Sequence, residues 1–134
     1  MISVERAEND SLLLGEQLGL SCDQRVLLNR AVLVSSQTWV GYVDGAPACM
    51  WGLVPASLLS DTAYLWLVTT DLVEEHQFLF VRHSQIEIKR MLSVYKTICG
   101  HCDQQHPRSV RWIKWLGGKF DTTQCPAAFT IGRD

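Results

Sequence analysis

Several short stretches of this chain carry residue types that do chemistry. Cys99-Gly100-His101-Cys102 has the Cys-x-x-Cys spacing of dithiol redox sites, in which a cysteine at a helix N-terminus has a lowered thiol pKa. Extended to His106 it reads Cys-x-x-Cys-x-x-x-His, half of a tetrahedral zinc site. Glu74, Glu75 and His76 form a run of titratable groups suited to proton transfer. Arg108, Arg111 and Lys114 recur at helical spacing beside Trp112 and Trp115, a face of the kind that contacts phosphate.

Each pattern has a plainer alternative. The Cys-Gly-His-Cys run falls at the end of a strand-like segment, where successive side chains point to opposite faces and bridging is awkward. No aromatic precedes Cys99, so the expectation is two cysteines used as small core residues. Structural zinc needs four ligands. Cys22, Cys49, Cys125 and His101 would complete such a set only by coincidence of folding, so no metal is expected. The basic residues read as a solvated face opposite a packed tryptophan stripe. A formal net charge of −2 supplies no basic field, and no nucleic-acid partner is expected.

The elements that position these residues follow from periodicity. Ile2 to Ala7 alternates as a half-buried strand. Asn9 and Asp10 can cap a short helix over Ser11 to Leu18. Ser21 or Asp23 can cap a second helix to about Val34, with Val26, Leu27, Ala31 and Val34 on one face. Thr38 to Val43 and Ala46 to Val54 are strand-like runs joined by Asp44-Gly45, the signature of a two-residue hairpin turn.

Beyond the polar loop Pro55 to Asp61, Ala63 to Thr69 is nearly continuous apolar sequence, as in a strand buried on both faces. Thr70 to Gln77 is acidic and reads as a loop or one helical turn. Phe78, Val81, Ile88, Met91, Leu92 and Tyr95 mark the longest helix, and Lys96 to Cys102 a short strand. Pro107 suits the first turn of a last helix that Gly117-Gly118 would close. Two final strands, around Phe120 to Thr123 and Ala127 to Ile131, complete the order β-α-α-β-β-β-α-β-α-β-β. The strand, long helix and strand over 63 to 102 should form a parallel crossover. Trp39, Trp51 and Trp66 fall on strands and read as core, though one of them could line a ligand cleft.

Composition bounds the class. With 134 residues, 47% of them hydrophobic and 19% charged, the chain is expected to be one domain spanning 1–134. No stretch approaches a membrane span, and the charged start MISVERAEND does not read as a signal peptide, so a soluble intracellular protein is expected. The five cysteines, an odd number, are then expected as reduced thiols.

The element order resembles the GNAT acyltransferase fold: an α/β (α+β) architecture with a mixed central sheet of six or seven strands flanked by about four helices. Arg108-Ser109-Val110-Arg111-Trp112-Ile113-Lys114-Trp115-Leu116-Gly117 is similar to the last core helix of that family, which usually ends Leu-Gly-Phe. More narrowly, Met50-Trp51-Gly52-Leu53-Val54-Pro55-Ala56-Ser57-Leu58-Leu59, Tyr64-Leu65-Trp66-Leu67-Val68-Thr69-Thr70-Asp71 and His106-Pro107-Arg108-Ser109-Val110-Arg111-Trp112 resemble short GNAT-like phage proteins, the podovirus internal virion protein A group. This likeness covers roughly residues 36 to 120. It implies a phage protein in the host cytoplasm or associated with virions.

What the resemblance implies about function cuts two ways. An active member would transfer an acetyl group from acetyl-coenzyme A to an amine, in a cleft between the strand ending Val68-Thr69 and the strand around Ile98-Gly100. Leu67, Val68 and Thr69 would pair with the pantetheine arm. Arg82 and Ser84 would contact the pyrophosphate, and Ser109 and Trp112 would lie against the coenzyme. A general base would come from Glu74, Glu75, His76 or water.

The family's Gln/Arg-x-x-Gly-x-Gly/Ala loop, whose bare amides hold the pyrophosphate, is replaced here by Thr69 to Phe78, with no glycine and three carboxylates. The tyrosine that often protonates the leaving thiolate corresponds to Ile113, which has no proton to give. The alternative is a domain that kept the fold without catalysis and binds a host or phage protein, modulating the host or assisting virion assembly.

Overall fold

The Asp44-Gly45 turn is built as its sequence demands, with both residues at positive φ (48° and 84°). It joins β2 (Gln37–Val43) to β3 (Ala46–Pro55) in an antiparallel ladder that pairs Trp39 with Trp51 and Val40 with Met50. The computed structural model describes residues 2–6, 18–102, 107–121, 123 and 127–132. The other strands are β1 (Ile2–Arg6), β4 (Thr62–Thr69), β5 (Thr97–Cys102), β6 (Lys119–Asp121) and β7 (Ala127–Gly132). The helices are α1 (Cys22–Val34), α2 (Asp71–Glu75), α3 (Gln77–Val94) and α4 (Pro107–Trp115). Apart from Leu18, the helix expected over Ser11 to Leu18 lies outside the described residues. The sheet has seven strands in the order β1-β2-β3-β4-β5-β7-β6, and it is mixed because β4 and β5 run parallel.

The chain folds as two compact units. The first comprises Met1–Val54 with Trp66–Phe80. Its core gathers Leu18, Leu28, Val40 and Met50, with Leu20, Val32, Tyr42, Trp66 and Val68 packed around them. α1 starts at a capping box: the Gln24 N–H donates to Ser21 Oγ, and the Ser21 N–H donates to Gln24 Oε1. Its inward stripe is Leu28 and Val32, one turn apart. Val26, Leu27 and Val34 are instead exposed (51%, 64% and 61%). Because apolar residues run almost all round this helix, periodicity alone did not fix its rotation.

Gly52 on β3 faces Trp66 so closely that a Cβ would lie 2.6 Å from the indole. The Trp66 indole N–H donates to Ser35 Oγ (2.8 Å), and the Ser35 hydroxyl donates to the Ala31 carbonyl (2.6 Å). Trp39 and Trp51 stack with their ring centroids 6.1 Å apart, and both are buried.

The second unit comprises Pro55–Leu65 with Val81–Asp134. Here β4 pairs with β5 through Thr62↔Thr97, Ala63↔Ile98 and Tyr64↔Cys99, β7 pairs antiparallel with β5 along its length, and β6 pairs antiparallel with β7. Ala63, Ile98, Phe129 and Ile131 are buried, as are Ile88, Met91 and Tyr95. The buried stripe of α3 runs Phe80, Glu87, Ile88 and Met91. Phe78 lies two residues off it and is 88% exposed, because two residues turn a helix through about 200°. β4 also departs from the expected strand buried on both faces. Tyr64 and Leu67 are exposed (38% and 49%), and being three positions apart on the strand they leave opposite faces partly open.

Candidate functional site

The turn after β4 forms as the single helical turn its acidic sequence allows. The Thr70 N–H and hydroxyl both donate to the Ala48 carbonyl (3.0 and 2.7 Å), so neither remains to receive an anion. α2 follows at once, with Asp71, Glu74 and Glu75 exposed and Val73 buried. His76 links α2 to α3. Its N–H donates to the Leu72 and Val73 carbonyls, and its own carbonyl accepts from the Leu79 and Phe80 amides. The imidazole is half-buried, and Nδ1 is shielded from solvent without a hydrogen-bond partner. Of the three expected proton-transfer candidates, two carboxylates thus point to solvent and the imidazole points inward.

The structure brings Ser84 and Trp112 together. The Trp112 indole N–H donates to Ser84 Oγ (2.8 Å), and the Ser84 hydroxyl donates to the Val81 carbonyl (2.6 Å). The serine hydrogen is thereby committed, and the pair ties α4 to α3. Arg82 is exposed and Ser109 half-buried. Arg108, Arg111 and Lys114 form the expected solvated face, but Trp115 is 50% exposed, so Trp112 is the packed member of the tryptophan stripe.

Gly117 takes positive φ (92°). The Gly118 N–H reaches the Ile113 carbonyl and the Gly117 N–H the Lys114 carbonyl, closing α4 with a Schellman turn. Ile113 lies against Gly118, where a Cβ would meet its Cγ2 at 2.5 Å. At the position expected for an acid, the chain thus has a packing residue.

The Cys-Gly-His-Cys run lies on β5, and its glycine has a steric cause. A Cβ at Gly100 would come within 2.6 Å of the Phe129 ring and 3.0 Å of the Leu65 carbonyl. Cys99 and Cys102 are both free thiols, and Cys102 is buried. The Cys99 thiol donates to the Ala63 carbonyl (3.5 Å), and burial raises its pKa. The described residues hold no group of three or more His, Cys, Asp or Glu able to hold a metal; His106 and Cys125 lie outside them.

Next to Cys99 is a contact not foreseen from sequence. Tyr64 Oη and His101 Nδ1 are 3.1 Å apart, with ring centroids 5.6 Å apart. Burial, and then the neighbouring Cys99, raise the Tyr64 phenol pKa. His101 was visible in the motif. Tyr64 was not, because only the parallel register brings it beside β5.

The fold is that of the GNAT acetyltransferases. A Bacillus subtilis acetyltransferase in complex with CoA aligns over 100% of both chains with a TM-score of 0.74 at 11% identity. A GNAT-family acetyltransferase from Streptococcus pneumoniae aligns over 99% of both chains with a TM-score of 0.70 at 11% identity. A spermidine N-acetyltransferase chimera from Vibrio cholerae aligns over 98% of this chain and 95% of its own, with a TM-score of 0.72 at 9% identity. No family model matches the sequence, and no curated protein sequence matches it. No helix among the described residues is long and apolar enough to cross a membrane.

Proposed function

We propose that this chain is an N-acetyltransferase that uses acetyl-coenzyme A as acyl-donor substrate and has dispensed with the usual glycine cradle for the pyrophosphate. The observation that carries this reading is the fold itself, a mixed seven-strand sheet that aligns over the whole chain with an acetyltransferase in complex with CoA. In this proposal the peptide groups of Leu67, Val68 and Thr69 pair with the pantetheine arm, as a strand edge pairs with any amide-bearing chain. Arg82 and Ser109 offer the charge and hydroxyl that a pyrophosphate needs, while Ser84 and Trp112 hold the two helices beneath them. CoA in the B. subtilis structure supports the donor, and the spermidine N-acetyltransferase supports an amine acceptor.

The turn after β4 favours a second reading. The Thr70 donors are spent on Ala48, and Asp71, Glu74 and Glu75 repel an anion there. On that reading the chain is a non-catalytic domain that binds a host or phage protein, consistent with the likeness to internal virion proteins and with a place in the host cytoplasm or virion.

Thermal unfolding with acetyl-coenzyme A separates the two. At one hundred times its dissociation constant, a ligand specific for the folded state adds about 2.7 kcal/mol of stability. A rise in Tm is expected, and an unchanged Tm at millimolar acetyl-coenzyme A would leave the binding-protein reading in its place.

A further inference from the structure

We infer that the solvent face of α4, three cations around an exposed tryptophan, docks a single-stranded nucleic acid. The inference is independent of the acetyltransferase reading.

The charge of the chain is divided by region. Its formal net charge of −2 is the balance of an acidic first part and a basic stretch that follows. From Gln77 to Phe120 lie eight of the 12 lysines and arginines but two of the 14 aspartates and glutamates, Glu87 and Asp103. The fold withdraws Glu87 as well. Its side chain is buried on α3, with both carboxylate oxygens 3.3 Å from Arg90 Nη1. α4 itself carries no carboxylate. An average near neutrality therefore conceals a local positive field, and the local field is what a polyanion meets.

α4 concentrates that charge on one side. Ser109, Val110, Trp112 and Ile113 are half-buried, while Arg108, Arg111, Lys114 and Trp115 are exposed. The Trp112 indole, bonded to Ser84 Oγ at 2.8 Å, fixes the rotation of the helix and so holds those four side chains outward. Arg108, Arg111 and Lys114 follow one another every three residues, about 4.5 Å of rise. Trp115 lies one turn beyond Arg111 and two beyond Arg108, in the same stripe, and is 50% exposed.

The chemistry of this face selects the partner. Guanidinium and ammonium groups take phosphate oxygens without regard to sequence. An exposed indole is a platform for a base. A single strand has unstacked bases to place there, whereas a duplex keeps its bases inside. A protein interface needs an apolar core and about 1,000 Å² or more of buried surface. Apart from Pro107, Trp115 is the one apolar side chain on the solvent face of α4, too little for such a core.

The test is fluorescence anisotropy of the full chain with a labelled oligothymidylate of about 12 nucleotides. Binding is expected, with log K falling against log salt at a slope of about −2, as for three phosphate contacts on a single strand. Trp115→Ala should weaken binding about 10-fold and leave the slope unchanged. Arg111→Gln and, separately, Lys114→Gln should each reduce the slope by about 0.7 in magnitude. Both of these positions are exposed, so their variants keep the test decisive if Trp115→Ala disturbs the helix.

No binding at about 0.05 M salt overturns the inference. So does wild-type affinity in a folded Trp115→Ala variant, or a wild-type slope in both glutamine variants. A glutamate peptide of the same length that competes as well as unlabelled oligothymidylate overturns it in favour of an acidic protein. A duplex that outcompetes the single strand overturns it too, since the indole would then have no base to stack on.

Discussion

At Gly52 the hydrogen that replaces a Cβ lets the Trp66 indole pack against β3 and reach Ser35. In Gly52→Ala the new methyl would sit 2.6 Å from three indole atoms, all in one rigid ring system, so either β3 or the ring must shift. Overpacking of this kind costs about 1–3 kcal/mol. The urea midpoint should fall with an unchanged slope, and a wild-type midpoint would show that the indole swings aside freely. The same steric logic explains Gly100, so the Cys-Gly-His-Cys spelling reflects the Phe129 ring pressing on β5 as much as any property of the cysteines. The sequence showed His101 as a candidate ligand but not its tyrosine partner, since residues 37 positions apart meet only through the ladder.

Among the elements, α1 shows most clearly how local and distant causes divide. Its start is local: Ser21, one of the two caps expected from the sequence, exchanges hydrogen bonds with Gln24 (3.2 and 2.9 Å). Ser21→Ala is expected to cost about 1 kcal/mol, measured as a lower Tm, whereas Ser21→Asp, which keeps an acceptor at the cap, should retain most of the stability. Equal losses in the two variants would mean that the cap does not hold the helix. The rotation of α1 is a distant effect. Val26, Leu27, Leu28, Val32, Leu33 and Val34 offer several apolar stripes, and the core around Val40 and Met50 takes the one made by Leu28 and Val32. α3 repeats the pattern, since its existence follows from its period while the stripe that includes Phe80 excludes Phe78.

For the whole molecule, the buried Cys49 thiol and the partly desolvated Cys99 and Tyr64 set how stability responds to alkali. Burial pushes the Cys49 thiol up to about 12 from an ordinary value near 9, and Cys99 and Tyr64 shift in the same direction. The unfolded chain therefore loses these protons first as pH rises. Stability is full below about pH 9 and falls from there towards pH 12, by about 1.4 kcal/mol per pH unit for Cys49 alone. Urea midpoints between pH 8 and 10.5 should fall more steeply for the wild type than for Cys49→Ala. Parallel slopes would mean that the thiol ionises equally in both states.

Element order, the hairpin turn, the helix caps and the missing glycine cradle were all present in the sequence by itself. Each depends on residues a few positions apart, whose backbone preferences and hydrogen bonds act locally. Tertiary structure alone decided which stripe of each helix faces inward, that β4 stays partly open on both faces, and that Ser84 meets Trp112 and Tyr64 meets His101. Those outcomes depend on register and packing between segments far apart in the chain, where many apolar alternatives are nearly equal until the sheet selects one.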